Sequence, residues 1–149
     1  MVSIRLPKTD ELDRLVEISR LMSEESPNYR DEIFDVEKAT RVVKHIIDTG
    51  CGVVADEYGT IIGMMGGFLV SAPMHEYNFI TDMGIYILPS HRGGSTALRL
   101  IKAFEDIATE KGTKKIFLGI STGIEAERTV KLYEKLGYKM FSYCMVKNV

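Results

Sequence analysis

The residues with the clearest chemical potential form a short glycine-rich turn after a β-branched run. This turn runs from Pro89 through Ser90, His91 and Arg92 to Gly93 and Gly94, and it leads into a segment with helical spacing. Free backbone N–H groups at a helix start carry the positive end of the helix dipole, and glycines let a ligand approach them closely. Arg92 adds a permanent positive charge. The turn is therefore predicted to seat a phosphate group.

Two common phosphate-binding patterns do not fit this turn. The nucleoside-triphosphatase loop needs a lysine directly after its last glycine, and none stands there. The Rossmann pattern needs GxGxxG after an early strand and an acidic residue about twenty positions later, within repeated βαβ units. The sequence meets neither requirement of the Rossmann pattern. The turn is therefore predicted to belong neither to a nucleoside-triphosphatase nor to a Rossmann domain.

The elements around the turn form a strand, a helix and a second strand. The run from Phe79 to Leu88 predicts a strand that stops at Pro89. The next helix ends near Gly112 and places six apolar residues on one face: Ala97, Leu100, Ile101, Phe104, Ile107 and Ala108. Lys115 to Ser121 predicts a further strand. A strand, helix, strand passage implies a parallel crossover.

The first half of the chain predicts a strand, two helices and a hairpin. A strand is expected at Val2 to Leu6 and a helix from Asp10 to about Glu24. A second helix ends at Gly50 and buries Val36, Ala39, Val43, Ile46 and Ile47. The β-branched runs Cys51 to Ala55 and Ile61 to Val70 flank the turn residues Glu57, Tyr58 and Gly59, which indicates a hairpin.

The last thirty residues predict a helix and a closing strand. Thr122 and Glu125 have capping-box spacing, which favours a helix that runs to about Leu136 and ends at Gly137. Tyr138 to Val146 predicts a strand that pairs with the preceding one, or across the interface of a homodimer. The expected fold is a single domain over residues 1–149, of the α/β (α+β) class, with a mixed, mostly antiparallel sheet and about four helices.

The composition excludes several classes of function. The chain of 149 residues is 45% hydrophobic and 27% charged with a net charge of −2, which suits a globular domain rather than a nucleic-acid binder. No apolar run would span a membrane and the N-terminus lacks a secretory signal, so we expect a cytoplasmic protein. Cys51 and Cys144 are too few for a disulfide framework and are expected to be buried. The three histidines have no metal-ligand spacing, so no metal is expected.

Two motifs resemble those of the GNAT superfamily of N-acetyltransferases. Ile85 to Gly93 looks like that family's strand and pyrophosphate loop, whose usual form is Arg/Gln-x-x-Gly-x-Gly/Ala and which reads here as Arg92, Ser95 and Ala97. Ser95 stands where glycine is common. The run Leu132-Tyr133-Glu134-Lys135-Leu136-Gly137-Tyr138 is similar to the Leu-Tyr-Glu-x-Leu-Gly-Phe/Tyr ending of a family helix. Ala126 replaces an asparagine common in the family.

The resemblance implies acetyl-CoA as co-substrate, bound where the central β-α-β unit opens. In the family, a bulged strand splays from its parallel neighbour, and its free backbone groups bind the pantetheine arm. By this likeness the arm contacts backbone groups of the strand, and the loop holds the pyrophosphate. The cofactor-binding residues implied are Ile85, Tyr86, Ile87, Arg92, Gly93, Gly94, Ser95, Thr96 and Ala97.

The resemblance also implies an acid and a base. Tyr133 is the candidate acid, because a phenol stays protonated at neutral pH and can donate to a departing thiolate. A core aromatic is the alternative. Asp82 is the candidate base, since it lies in the strand that leads to the cofactor loop; a solvated strand-end carboxylate is the alternative. His75 and Glu76 could line the acceptor site; a position in a surface loop is the alternative for either.

The acceptor is expected to be a primary amine of a small molecule or a protein. The segment Ser23 to Glu37 holds six acidic residues and Arg30 alone, which favours a cationic amine by electrostatic steering, although such a run is also typical of a solvated face. The predicted function is acetyl transfer from acetyl-CoA to that amine by direct attack. A non-catalytic acyl-CoA-binding or sensing module of the same fold is the alternative.

Overall fold

The computed structural model of the protein describes residues 1–149 and shows five strands and four α-helices. They follow the chain as β1 (Val2–Arg5), α1 (Leu12–Glu25), α2 (Val36–Thr49), β2 (Gly52–Glu57), β3 (Thr60–Ser71), β4 (Asn78–Ile87), α3 (Thr96–Glu110), β5 (Lys115–Phe117) and α4 (Ala126–Lys135). No helix is long and apolar enough to cross a membrane.

One mixed sheet has the order β1-β2-β3-β4-β5. The first four strands are antiparallel neighbours, and β5 joins β4 in parallel through α3. The β2–β3 turn has φ of 52° at Tyr58 and 85° at Gly59, the pair of positive angles that tight hairpins favour. The predicted mixed, mostly antiparallel fold with about four helices is confirmed.

Helices cover the two faces of the sheet and create two cores. Successive residues of a strand point to opposite faces, so Val53 and Ala55 join the larger core while Val54 joins the smaller one. Phe104 of α3 lies fully buried in the larger core, which also contains Tyr133. Ile18 of α1 is fully buried in the smaller core. The central strands are therefore held from both sides, and α3 is fixed against the strand that leads to it.

The predicted terminal strand is wrong. Residues 138–149 form no strand, and six of their apolar side chains stay exposed: Met140, Phe141, Tyr143, Met145, Val146 and Val149. The neighbouring strand β5 has only three residues, Lys115–Phe117, rather than the seven expected, and so offers a short edge. The segment approaches this edge through Phe141, whose ring centroid lies 4.9 Å from that of Phe117 and 5.9 Å from Lys115 Nζ.

The predicted capping box is also wrong. Thr122 Oγ1 accepts a hydrogen bond from the Ile124 amide at 3.3 Å, within its own turn. Glu125 has φ of 44° and makes no capping bond, so α4 begins at Ala126. Two smaller expectations fail as well, because Cys144 and Val36 are exposed rather than buried.

Candidate active site

The glycine-rich loop presents a row of backbone N–H groups without acceptors. β4 is followed by a 3₁₀ turn at Pro89–His91. Gly93 has φ of 98°, and α3 then begins at Thr96. Ser95 precedes the helix but makes no side-chain capping bond. The amides from Gly93 to Ala97 donate to no carbonyl or side chain of the protein. Such a row, at the positive end of a helix dipole, suits an anion such as a diphosphate.

The guanidinium of Arg92 is occupied by the protein itself. Its Nη1 and Nη2 donate to the two carboxylate oxygens of Glu25 at 2.8 and 2.6 Å, and its Nε donates to the Ile87 carbonyl oxygen at 2.8 Å. The Tyr86 ring lies 5.1 Å from the guanidinium carbon. The paired Arg92 holds the pKa of Glu25 below its usual range. The side chain therefore ties the loop to the end of α1, and the anion-binding capacity of the loop comes from its backbone.

The two parallel strands separate after three residue pairs. Phe79, Ile80 and Thr81 pair with Lys115, Ile116 and Phe117, and β5 then ends while β4 continues to Ile87. One hydrogen bond crosses the start of the gap, from the Gly119 amide to Asp82 Oδ1 at 2.9 Å. The rest of this edge of β4 has no strand partner, which gives a splay that opens toward the glycine-rich loop.

A β-bulge lies where the splay begins. Gly66 and Gly67 of β3 pair with Gly84 and Asp82, so Met83 is an extra residue without a partner. Gly67 makes this close packing feasible, since a Cβ there would lie 2.1 Å from the Thr81 carbonyl oxygen. The bulge re-aims the backbone between Asp82 and Gly84.

Hydrogen-bond alternation shows which backbone groups of β4 face the gap. The amide of Leu88 donates to the Ile62 carbonyl at 2.9 Å, so Tyr86 and Gly84, which lie two and four residues before it and on the same side of the bulge, also bond to β3. The main-chain groups of Ile85 and Ile87 then face the open edge. Arg92 takes the Ile87 carbonyl, as described above, whereas Ile85 faces the gap with no partner strand. Tyr86 instead contributes its side chain to the smaller core.

Tyr133 and Asp82 share one electrostatic environment at this gap. Tyr133 is 6% exposed, and its hydroxyl is buried without any hydrogen-bond partner. Burial raises the pKa of Tyr133, and the nearby Asp82 charge adds to this effect. Burial also raises the pKa of Asp82 to about 6, although the bond from Gly119 opposes the shift. The site thus combines the protonated phenol of Tyr133, which has no hydrogen-bond partner, with the carboxylate of Asp82, whose pKa of about 6 is close to neutrality.

Two further predicted candidates lie far from the glycine-rich loop. His75 and Glu76 are in the loop between β3 and β4, at the end of β4 opposite the glycine-rich loop. The length of β4 puts roughly 30 Å between those two ends.

In the acidic segment, Glu24 pairs with Arg20 and Glu25 with Arg92. The residue that sequence reasoning missed is Glu25 as the partner of Arg92, because the two are 67 positions apart and no local pattern links them.

Two cavities flank the sheet. One of about 420 Å³ lies between α1, α2 and the sheet, and Met83 and Gly84 of the bulge form part of its wall. Another of about 380 Å³ lies near the end of α3 and is lined by residues such as Glu105, Lys115 and Tyr138, with none of the predicted site residues. No three side chains of the metal-binding types come together anywhere in residues 1–149.

A sequence model described as the Acetyltransferase (GNAT) family matches residues 15–138 of the chain. No curated protein sequence matches this chain. Among solved structures, a predicted acetyltransferase with acetyl-CoA from Clostridium acetobutylicum is similar with a TM-score of 0.80 and 19% identity, over 99% of this chain and 96% of that chain.

Two further solved structures are similar over nearly their whole length. The aminoglycoside N-acetyltransferase AAC(6')-Iy, in complex with a CoA-containing bisubstrate analog, has a TM-score of 0.75 and 17% identity over 100% of this chain and 98% of that chain. A ribosomal-protein-alanine N-acetyltransferase from Brucella melitensis biovar Abortus 2308 has a TM-score of 0.74 and 18% identity over 100% and 99%. At such identities the likeness establishes a shared fold.

Proposed function

Because the chain belongs to the GNAT acetyltransferase family and is thus an acyltransferase, we propose that it moves the acetyl group of acetyl-CoA to a primary amine by direct attack. The observation that carries this proposal is the set of unsatisfied groups along one path. Free amides from Gly93 to Ala97 follow the open edge of β4 at Ile85 along the chain. The unpaired hydroxyl of Tyr133 lies near enough to Asp82, on the same strand, for the Asp82 charge to raise its pKa.

This path suits the parts of acetyl-CoA in order. The amides at the start of α3 bind the diphosphate, because they supply several donors and the positive end of a dipole. The main-chain groups of Ile85 bind the pantetheine arm, which carries amides that can pair as a strand would. Acetyl-CoA supplies the activated thioester. An acetyl-CoA-bound neighbour and a CoA-analog-bound neighbour share this fold and support the assignment.

Asp82 and Tyr133 handle the protons. The acceptor ammonium first loses a proton to solvent, and the neutral amine nitrogen then attacks the thioester carbonyl carbon, so that a C–N bond forms and the C–S bond breaks. Asp82 accepts the proton that the nitrogen loses, directly or through water, and a pKa near 6 keeps it ionised at neutral pH yet basic. The Tyr133 hydroxyl donates a proton to the sulfur that leaves. Solvent returns a proton to Tyr133 and removes one from Asp82, which gives the N-acetyl amine and free CoA thiol.

The test compares two tyrosines that lie side by side. Their ring centroids are 5.9 Å apart, but the Tyr138 hydroxyl already donates to Glu105 at 3.2 Å whereas the Tyr133 hydroxyl has no partner. We expect Tyr133→Phe to lower kcat by about 10²-fold with little change in acetyl-CoA binding, because it removes only the acid. Tyr138→Phe should retain most of the activity. Release of free CoA thiol from acetyl-CoA in the presence of an amine panel measures kcat.

Two outcomes contradict the proposal. Equal turnover in wild type and Tyr133→Phe would remove the tyrosine from the mechanism. Thermal stabilisation by acetyl-CoA without acetylation of any amine would instead identify a binding or sensing module. Bound acetyl-CoA at 100 times its Kd should stabilise the native state by about 2.7 kcal/mol, and ATP at the same concentration serves as the control for a general phosphate site.

A further inference from the structure

The cavity between α1, α2 and the sheet has predominantly apolar walls. Its volume of about 420 Å³ falls within the range of small-molecule sites. Fifteen of its 26 lining residues are hydrophobic, so an occupant gains mainly from burying apolar surface. Leu15 of α1, Val43 and Ile47 of α2, and Val54 of β2 are among them.

The cavity reaches the place where the chemistry is proposed. Met83 and Gly84, which lie directly after Asp82 at the bulge, form part of its wall. Ser121 and Thr122, which follow the splayed β5, line it as well. A molecule that fills the cavity can therefore bring one of its atoms to the start of the splay, on the sheet face that carries α1 and α2.

Methionines make part of the wall adaptable. Four of the eight methionines of the chain line this cavity: Met22, Met64, Met65 and Met83. The thioether is polarizable, adjusts its shape through three rotatable bonds, and makes favourable contacts with aromatic rings. Gly84 lies beside Met22 in this wall, since a Cβ there would come within 3.4 Å of the end of the Met22 side chain. These walls suit an aromatic or branched aliphatic group.

The charge near the cavity is small. The Asp35 side chain is used to cap α2, where it accepts from the Lys38 amide at 3.0 Å, and the Lys38 Nζ lies 4.0 Å from it. Glu32 lines the cavity and has no side-chain hydrogen bond or ion pair. One uncommitted carboxylate is too little for a molecule with several ammonium groups, each of which loses hydration on binding.

We propose that the acetyl acceptor is a monoamine whose apolar body, aromatic or branched aliphatic, fills this cavity and whose nitrogen reaches the splay beside Asp82. This inference rests on the proposed acetyltransferase function and adds its acceptor class. The sequence predicts a cationic amine from the six acidic residues between Ser23 and Glu37, and the inference narrows this class to monoamines. Three of the six are already engaged, since Glu24 and Glu25 pair with arginines and Asp35 caps a helix.

The first experiment compares amines by charge and shape. Tryptamine and 2-phenylethylamine represent the proposed class, and spermidine and neamine represent polycations. Wild-type protein with acetyl-CoA should show kcat/KM about tenfold or more higher for the arylalkylamines, as expected from burial of one aromatic group. Higher kcat/KM for the polycations would overturn the inference and leave the acetyltransferase proposal intact.

The second experiment fills the cavity. Ala39 of α2 lines it, whereas the adjacent Thr40 does not. Ala39→Phe should raise the KM for tryptamine about tenfold or more without changing the KM for acetyl-CoA, and Thr40→Phe should change neither. Equal KM values for tryptamine in the two variants, with melting temperatures near wild type, would overturn the inference.

A binding measurement keeps the inference testable if no amine is acetylated. Titration of tryptamine and spermidine into the wild-type complex with CoA, followed by calorimetry, reports occupancy of the cavity without turnover. Tighter binding of tryptamine, weakened by Ala39→Phe, supports the cavity as its site even where the acetyltransferase proposal fails. Absence of tryptamine binding overturns the inference.

Discussion

At the residue scale, the proposed active-site chemistry depends on two groups whose surroundings shift their pKa values. Tyr133 is buried and Asp82 is half-buried where the splay begins, and loss of solvent raises the pKa of each. Sequence motifs could point to both positions, because one stands in a recurrent helix ending and the other in the strand before the loop. They could not show that the Gly119 amide binds Asp82 or that the Tyr133 hydroxyl has no partner, since these depend on where the chain folds back.

Substitution of Asp82 by Asn should alter both stability and the pH profile. A carboxyl whose folded pKa is raised from 3.8 to about 6 stabilises the protein when protonated, and this contribution is lost as pH rises from about 4 to 6. Asp82→Asn keeps an acceptor for the Gly119 amide and removes the buried charge. The variant should therefore gain up to about 3 kcal/mol over wild type at pH 7 and little at pH 4.

Thermal melts of both proteins at pH 4 and pH 7 measure the stability change, and acetylation rates between pH 5 and 8 measure the role in catalysis. The wild-type rate should rise through a pKa near 6, and Asp82→Asn should lose both that inflection and most of its rate. A variant with the wild-type rate would show that Asp82 is not the base.

At the element scale, local pattern predicts an element well where its neighbours are also local. The spacing of apolar residues and the stop at Gly50 predict α2, and the positive φ angles at Tyr58 and Gly59 agree with the predicted hairpin. The alternation of Phe141, Tyr143 and Met145 also predicts a strand, yet none forms. A strand needs an edge with backbone partners, and β5 offers only three residues.

The bulge between β3 and β4 depends on Gly67. Gly67→Ala places a Cβ 2.1 Å from the Thr81 carbonyl oxygen and 2.9 Å from the Phe104 ring. Overpacking of this kind should cost about 1–3 kcal/mol, and the shift of β4 should lower the acetylation rate.

Gly94→Ala is the matched control, since a Cβ there meets nothing within 4 Å. Its melting temperature should stay close to wild type, while its side chain weakens acetyl-CoA binding by obstructing the approach to the loop amides. Urea unfolding and acetyl-CoA titration separate the two effects. A Gly67→Ala protein as stable as wild type would show that β3 and β4 can move apart at the bulge without a loss in the free energy of unfolding.

At the scale of the whole molecule, one ion pair joins the two halves of the site. Glu25 ends α1, which lines the cavity proposed to hold the acceptor, and Arg92 belongs to the loop proposed to bind the cofactor. The sequence identified Arg92 by its motif and Glu25 only as part of an acidic run. The cavity itself was beyond sequence reasoning, because its wall comes from α1, α2, three strands and the segment after β5.

A double-mutant cycle should show strong coupling between Arg92 and Glu25. Their side chains are only 20% and 31% exposed and share two hydrogen bonds, so Arg92→Ala and Glu25→Ala should couple by about 1–3 kcal/mol in urea unfolding. The Lys44–Asp48 pair is 60% and 50% exposed and should couple by about 0.5 kcal/mol or less. Equal coupling in the two cycles would show that the buried pair adds no more than a surface pair does.

The methionine-lined wall makes the cavity sensitive to oxidants. Met83 is 53% exposed at the bulge, whereas Met65 is 1% exposed, so peroxide would reach Met83 first. Conversion of its thioether to the sulfoxide adds a polar oxygen to an apolar surface and is reversed by dedicated reductases. Mild oxidation would then lower acceptor affinity before it affects folding, and reduction would restore it.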